Sequence, residues 1–126
     1  MAQGTAGKSK DPIRNNEPAV LILTSLASGT KHGYALTQDI EQFAGVRLGP
    51  GTLYGAITRL EERGLIAPKA SDDRRQPYEI TAAGRAALTE AVREMRVLAD
   101  EGASRLGLVA RNRRLGLGMT LTGVTQ

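Results

Sequence analysis

The stretch RLGPGTLYGAITRLEERGL, residues 47–65, constrains the fold of this chain more than any other segment. Its apolar residues Leu53, Ile57 and Leu60 recur at the spacing that places side chains on one face of an α-helix. A Gly-Pro pair precedes them, and these residue types suit the cap and the first position of a helix. Gly64 suits its end. The sequence therefore predicts an amphipathic helix whose first turn carries little side-chain bulk.

Similar patterns predict three more helices. The first covers about residues 18–28 and follows an Asn-Glu-Pro run that is typical of a helix start. The second runs from a Thr30 cap to Phe43, and the last runs from a Thr81 cap to about Leu106. Two of these helices precede the opening stretch, and the longest one follows it.

After the third helix the apolar period changes to that of β-strands. Tyr78 and Ile80 fall on one face of a short strand, and the polar run SDDRRQ separates it from a preceding extended segment. This pattern predicts a β-hairpin. Pro68 and Pro77 are expected to restrict both of its strands to sheet edges. Residues 46–48 are expected to add a further short strand.

Three helices, a hairpin and a fourth helix, in this order, are typical of a winged helix-turn-helix protein. The predicted fold class is mainly α with a small β-hairpin wing, extended by a long C-terminal dimerisation helix. The expected organisation is a disordered N-terminal arm (1–15), a winged helix-turn-helix domain (16–81), a dimerisation helix (82–107) and a flexible basic tail (108–126).

The charge of the chain is uneven along its length. The whole chain carries a net charge of +4 and has a pI of about 9.9. Residues 1–16 contribute +2 and residues 104–126 contribute +4, which leaves −2 for residues 17–103. The total charge is therefore weak evidence for nucleic-acid binding, and any such role depends on where charges lie within the middle segment.

In a winged helix-turn-helix protein, the third helix enters the DNA major groove with its N-terminal residues leading. Free amides at that end can bind phosphate, and glycine lets the backbone come close. Arginine can reach guanine or phosphate, and wing arginines can enter the minor groove. The predicted DNA-contacting residues are Lys31, His32, Tyr34, Gly51, Thr52, Tyr54, Arg59, Arg74 and Arg75.

Simpler roles stay open for several of these residues. The wing pair Arg74 and Arg75 could be solvated loop charges, and the Gly-Pro-Gly run could be turn chemistry alone. Tyr34 could be a core residue. His32 fits a structural role or a polar contact near the DNA, since no nucleophile or metal-ligand partner for it is recognisable in the sequence.

The last predicted helix carries a heptad-like apolar seam. Leu88, Val92, Met95 and Ala99 recur with spacings of four, three and four residues, which is typical of a surface that packs on a partner helix. One interpretation is that this seam forms a homodimer, which is the interpretation that the family resemblance given below implies. The alternative is that it packs only on its own domain.

The composition also bears on other classes of function. The chain has no cysteine and one histidine, which excludes disulfides, a thiolate nucleophile, and Cys-based or His-pair metal sites. No recognisable motif of paired carboxylates or nucleophile elbow occurs, so we expect neither an enzyme nor a cofactor. The longest apolar run is too short to span a bilayer, and no signal peptide is recognisable. A cytoplasmic location without membrane contact is the expectation.

Three segments resemble the PadR family of bacterial transcriptional regulators: HGYALTQDIEQ, GPGTLYGAITRLEERGLI and RRQPYEITAAGRAAL. The resemblance covers about residues 19–106. It implies a winged-helix domain, a C-terminal helix that packs across a two-fold dimer, and operator binding that usually represses and is often relieved by a small molecule. Gly49 and Gly55 depart from the family, which often has serine and proline at these positions.

The function expected from the sequence is that of a homodimeric DNA-binding transcriptional regulator, a repressor of PadR type on a pseudo-palindromic operator. A small-molecule effector is a further expectation, of unknown identity. The family often holds flat aromatic ligands between aromatic side chains, but the final helix here has no aromatic residue. The alternative function is a winged-helix protein–protein interaction module without its own operator, which the near-neutral middle segment and the Asp72-Asp73 pair favour.

Overall fold

The computed structural model of the protein describes residues 17–72 and 74–108. The chain folds mainly into helices with one small sheet, which confirms the predicted fold class. The predictions for residues 1–15 and for most of the basic tail lie outside the described residues. The elements are α1 (Pro18–Leu26), β1 (Lys31–His32), α2 (Gly33–Ala44), α3 (Pro50–Glu62), β2 (Ile66–Pro68), β3 (Pro77–Ile80) and α4 (Ala82–Leu106).

The helix boundaries follow from local chemistry. Pro50 occupies the first turn of α3 after a Gly49 cap, as predicted, where the missing amide has no intrahelical partner. Gly45 ends α2 in the left-handed conformation with φ of 70°, which glycine adopts without a Cβ penalty. At the start of α4 the Thr81 hydroxyl oxygen accepts a hydrogen bond from the amide of Gly84 at 3.0 Å, which confirms the predicted cap.

The hydrophobic core lies between the three short helices and the sheet. Helix α1 is its centre, since six of its nine residues are buried and it contacts α2, α3 and β3. Each large aliphatic side chain that is fully buried here stabilises the fold by roughly 1.5–3 kcal/mol. The fully buried apolar side chains are Ile22, Leu23, Leu26, Leu36, Ile40, Ile57, Leu60 and Ile66.

The sheet has three antiparallel strands in the order β1-β3-β2. Strand β3 is therefore central, and the expectation that Pro77 lies in an edge strand is wrong. Pro77 is the first residue of β3 and lies opposite His32 of β1. A proline is tolerated at this position because the hydrogen-bond ladder between the strands starts there, and the N–H that proline lacks is not needed inside it. Its carbonyl still accepts a hydrogen bond from the Lys69 amide at 3.0 Å. Pro68 lies in β2, an edge strand, as predicted.

Two other local predictions, the Thr30 cap and the strand at residues 46–48, are wrong. Helix α2 is capped by His32 rather than by Thr30, because Lys31 and His32 pair with β3 and keep the chain extended. Residues 46–48 do not form a strand; they connect α2 to α3 outside the sheet, whose strands pair in the order β1-β3-β2. Of these three residues, Leu48 packs into the core and Val46 stays exposed.

The chain divides into two compact units after Ala91, within α4. In the first unit, Gly84 and Ala91 are buried, and Leu88 packs against the core as a partly buried side chain. In the second unit the described side chains are mostly exposed, and they include the large apolar residues Val97, Leu98 and Leu106. No helix among the described residues is both long and apolar enough to cross a membrane.

Candidate nucleic-acid interface

The first turn of α3 is open to solvent. Gly51 and Thr52 are exposed, and a Cβ added at Gly51 would meet no atom within 4 Å. No described side chain caps this end, and the first turn holds no acidic residue. The first amides of a helix have no intrahelical partner, and the helix dipole makes this end positive. The turn can therefore bind an anion such as a phosphate group.

Tyr54, on the next part of the same helix, rests on the start of α2. A Cβ added at Gly33 would lie 2.1 Å from the Tyr54 hydroxyl oxygen, so only glycine leaves room for this ring. Tyr54 remains 49% exposed. The contact ties the beginnings of two helices together and fixes where the phenol points. The sequence patterns did not reveal Gly33, because no local signal shows which ring will pack on a glycine.

Tyr34 lies outside the core, with 65% of its surface exposed, so the core alternative for this residue is wrong. Its hydroxyl oxygen accepts a hydrogen bond from the side-chain amide of Gln38 at 3.1 Å. Gln38 was not among the predicted site residues, although its spacing of four residues from Tyr34 on a helix is a signal for such a pair. The pair presents an ordered polar edge near the N-terminus of α2.

The wing is the hairpin of β2 and β3 with its loop. The Gln76 side-chain amide braces the loop by donating to the carbonyls of Lys69 at 3.1 Å and Pro77 at 2.7 Å. The Arg75 guanidinium reaches the ring of His32, with 2.9 Å between Nη1 and Nε2. Arg74 is exposed on the same loop. The structure therefore joins two predicted site residues, His32 and Arg75, that are far apart in sequence.

Lys31 is directed into the domain. Its ammonium donates to the Ser25 carbonyl at 2.5 Å and to the Ser28 hydroxyl at 2.9 Å, and it lies 4.0 Å from the Asp39 carboxylate. Its side chain is only 19% exposed. A lysine that binds the last carbonyls of a helix stabilises the helix end. The ammonium of Lys31 thus completes the C-terminus of α1, and its predicted phosphate contact remains a prediction.

Arg59 lies on the outer face of α3, about two turns beyond the open end. Its Nη1 would be 3.5 Å from a Cβ added at Gly55, so the guanidinium extends back along the helix toward its N-terminus. Gly55 weakens the helix by up to about 1 kcal/mol relative to alanine, but it leaves space beside this guanidinium. On the outer face of α3, Gly55 is only partly exposed, and the fully exposed residues are Gly51, Thr52, Thr58, Arg59 and Glu62.

Tyr78, in the central strand, is a titratable group whose pKa the fold changes. Burial raises the pKa of its phenol above the ordinary value of 10.0, and the Glu61 carboxylate and the Tyr54 phenol raise it further. Tyr78 packs against the hydrophobic core, as the period of two predicts. This proximity shows that the end of α3 lies beside the base of the wing.

The predicted dimerisation residues differ in their surroundings. Leu88 uses part of its surface against its own core, whereas Val92 and Ala99 are exposed and Met95 is half-buried. Their role in a dimer remains a prediction. Leu106 lies seven residues after Ala99, two steps further along the seam, and is exposed; Leu98 is exposed at the border of the same face. The predicted seam of four residues did not include Leu98 or Leu106.

Comparison with known proteins identifies the chain's relatives. A model of the transcriptional regulator PadR-like family matches residues 22–90. The chain is 45% identical over 83 residues to an uncharacterized 37.1 kDa protein in a transposon of Streptomyces fradiae, with 66% of this chain and 24% of that protein covered. It is also 45% identical over 83 residues to the transcriptional regulator Rv3488 of Mycobacterium tuberculosis, with 64% and 77% covered.

Among solved structures, a PadR family transcription regulator from Clostridium difficile superposes with a TM-score of 0.64. The match covers 71% of this chain and 96% of that chain at 23% identity, and it shows a shared fold. The chain spans about a quarter of the length of its Streptomyces fradiae relative. The family consists of transcriptional regulators that bind DNA rather than of enzymes. The protein belongs to the PadR-like family of transcriptional regulators.

Proposed function

We propose that the protein is a homodimeric repressor that binds a pseudo-palindromic operator through α3 and the wing. The observation that carries this proposal is the open first turn of α3, where uncapped amides lie beside the exposed Gly51 and Thr52. An N-terminus without a side-chain cap costs helix stability. A phosphate group bound there would supply the missing hydrogen bonds and interact favourably with the helix dipole.

In the major groove, α3 would lead with this turn. The Thr52 hydroxyl can bond a phosphate or a base edge, and Arg59 can reach guanine or a phosphate about two turns further on. Tyr54, which packs against Gly33, would contact the DNA backbone. Because this ring is held by packing, it would lose little conformational freedom on binding.

The wing would place its arginines on the DNA beside the major-groove contact. Arg74 and Arg75 can bind phosphates or enter a narrow minor groove, where the negative potential is strongest. Asp72 lies next to them in the described part of the loop and weakens this attraction. A contribution from the wing should therefore depend on arginine position rather than on net wing charge.

The dimer would form through the apolar seam of α4. The seam side chains Val92 and Ala99 are exposed in the second unit, and Leu106 extends the same spacing. A two-fold dimer would place two recognition helices about 34 Å apart, in successive major grooves on one face of the DNA. Release by a small molecule completes the proposal. Since α4 has no aromatic residue, such a molecule would bind aliphatic surface there rather than stack between rings.

The test is a selection of bound fragments from the source genome with purified full-length protein at physiological salt. Enrichment of one inverted repeat is the expected result, with an affinity that falls steeply as salt rises. Flat enrichment by a well-folded dimer would refute the operator and favour the protein-interaction alternative.

A matched pair of threonine substitutions then locates the contact. Thr52→Ala removes a hydroxyl from the open turn and should weaken binding to the enriched repeat more than binding to random DNA. Thr89→Ala makes the same change on α4, where the hydroxyl bonds the carbonyl of Arg85 at 2.8 Å. It should leave DNA affinity unchanged. Equal losses for specific and random DNA with Thr52→Ala would remove this residue from the specific contacts.

A further inference from the structure

The contacts of His32 set a conflict between two hydrogen-bond donors. The Ala35 amide points at Nδ1 from 3.4 Å, and the Arg75 guanidinium lies 2.9 Å from Nε2. Amides and guanidinium groups can only donate, and a neutral imidazole has a single acceptor nitrogen. The ring therefore cannot accept both bonds in one protonation state.

The distances indicate which of the two donors forms the hydrogen bond to the ring. A separation of 2.9 Å is the usual length of an N–H hydrogen bond, whereas 3.4 Å lies beyond the usual range. The shorter contact also involves a charged donor, which makes the stronger bond. The acceptor is then Nε2, and Nδ1 carries the proton. In this state His32 gives up most of its capping bond in favour of the wing arginine.

The backbone of His32 is well placed to serve as an anchor. It pairs with Pro77 in the sheet on one side and begins α2 on the other, so two elements hold it. Arg75 lies in the wing loop, two residues before Pro77. A hydrogen bond to the ring restricts the rotamers of the arginine side chain before DNA arrives. A guanidinium has five N–H donors, and the bond to the ring engages one of them.

We propose that His32 is a positioning residue: its neutral ring accepts a hydrogen bond from Arg75 at Nε2 and thereby presents the wing arginine to DNA. The inference rests on the proposed function, in which the wing contacts the operator. It replaces the expectation that His32 itself touches DNA, and it couples the wing to the start of α2.

The ring state can be read directly in the free protein. The chain has one histidine, so labelling histidine with nitrogen-15 yields NMR signals from the His32 ring alone. At pH 8 the full-length protein should show a protonated Nδ1 and an acceptor Nε2. Arg75→Ala should reverse the two roles, since the Ala35 amide then has no competitor. A ring that already accepts at Nδ1, and does not change in Arg75→Ala, would overturn the inference.

Two variants separate the cap from the anchor in DNA binding. In His32→Asn the amide oxygen lies where Nδ1 was, which keeps the cap and removes the acceptor for Arg75. In His32→Gln the amide oxygen reaches the former position of Nε2. At pH 8 we expect His32→Asn to lower affinity for the enriched fragment about tenfold, as much as Arg75→Ala. We expect His32→Gln to stay within about twofold of the parent, and the double variant to lose no more than Arg75→Ala alone.

The outcomes distinguish this inference from the function on which it rests. If His32→Asn binds as tightly as the parent, or if His32→Gln is the weaker variant, the ring acts only as a cap and the positioning role is refuted. Thermal unfolding of both variants shows whether a loss reflects misfolding. If the parent enriches no fragment, the proposed function fails and the DNA role of Arg75 with it. The ring nitrogens would still report whether His32 holds the arginine.

Discussion

Gly84, in the first turn of α4, packs directly on the backbone of the loop that precedes the wing. A Cβ added there would lie 2.1 Å from the carbonyl oxygen of Leu65 and 2.8 Å from Cγ1 of Ile80. The same Leu65 carbonyl accepts a hydrogen bond from the Thr81 amide at 3.1 Å. Gly84→Ala therefore forces a methyl group against a buried backbone atom that other bonds hold in place.

The magnitude follows from two opposed effects. Alanine in place of glycine favours a helix by up to about 1 kcal/mol. Overpacking a buried site costs about 1–3 kcal/mol, and more when the obstacle is backbone that cannot rotate away. At Gly84 the added atom would have to move by more than about 1 Å to reach an ordinary contact distance, so the cost prevails. We expect a net loss of about 2 kcal/mol in the free energy of unfolding.

Urea and thermal unfolding, at a fixed protomer concentration, measure this loss. For a domain of this size about 2 kcal/mol lowers the Tm by roughly 8–16 °C. Gly102→Ala is the matched control, since its added Cβ would meet nothing within 4 Å in the same helix, and it should stabilise the protein by up to about 1 kcal/mol. A Gly84→Ala protein as stable as the parent would refute the packing argument.

Three further outcomes are expected from single changes. Gly33→Ala should displace the half-exposed Tyr54 ring and cause a small loss of stability. Operator affinity, measured by gel shift, should fall about as much as in Tyr54→Ala. Unchanged affinity would show that the packing of Tyr54 on Gly33 does not affect DNA binding. Because the pKa of Tyr78 is raised in the folded state, its contribution to stability is fully present below pH 10.0 and is lost as the pH rises through and above that value. Tyr78→Phe should remove this alkaline loss in urea titrations, and an identical pH profile would contradict it. Met95→Glu should convert the dimer to monomer in sedimentation, while Val97→Glu, on the opposite side of α4, should not; equal effects would exclude the seam.

The sequence alone predicts the features that depend on short-range chemistry. The spacing of Leu53, Ile57 and Leu60 defines the buried face of α3, and those three side chains are buried as expected. The Gly49 and Thr81 caps are also correct, because a cap involves atoms within a few residues. The order of the elements was enough to indicate the fold class, since few architectures join three helices, a hairpin and a long helix.

The site itself depends on contacts between distant segments. Whether a lysine near a helix start faces solvent or a buried carbonyl is decided by the end of α1, so the inward turn of Lys31 has no local signal. The bond from Arg75 to His32 spans 43 residues, and it exists because β1 pairs with β3. Local periodicity determines which face of each element is buried. Only the tertiary structure decides which residues of different elements meet, because strand pairing and packing bring together side chains that no sequence period relates.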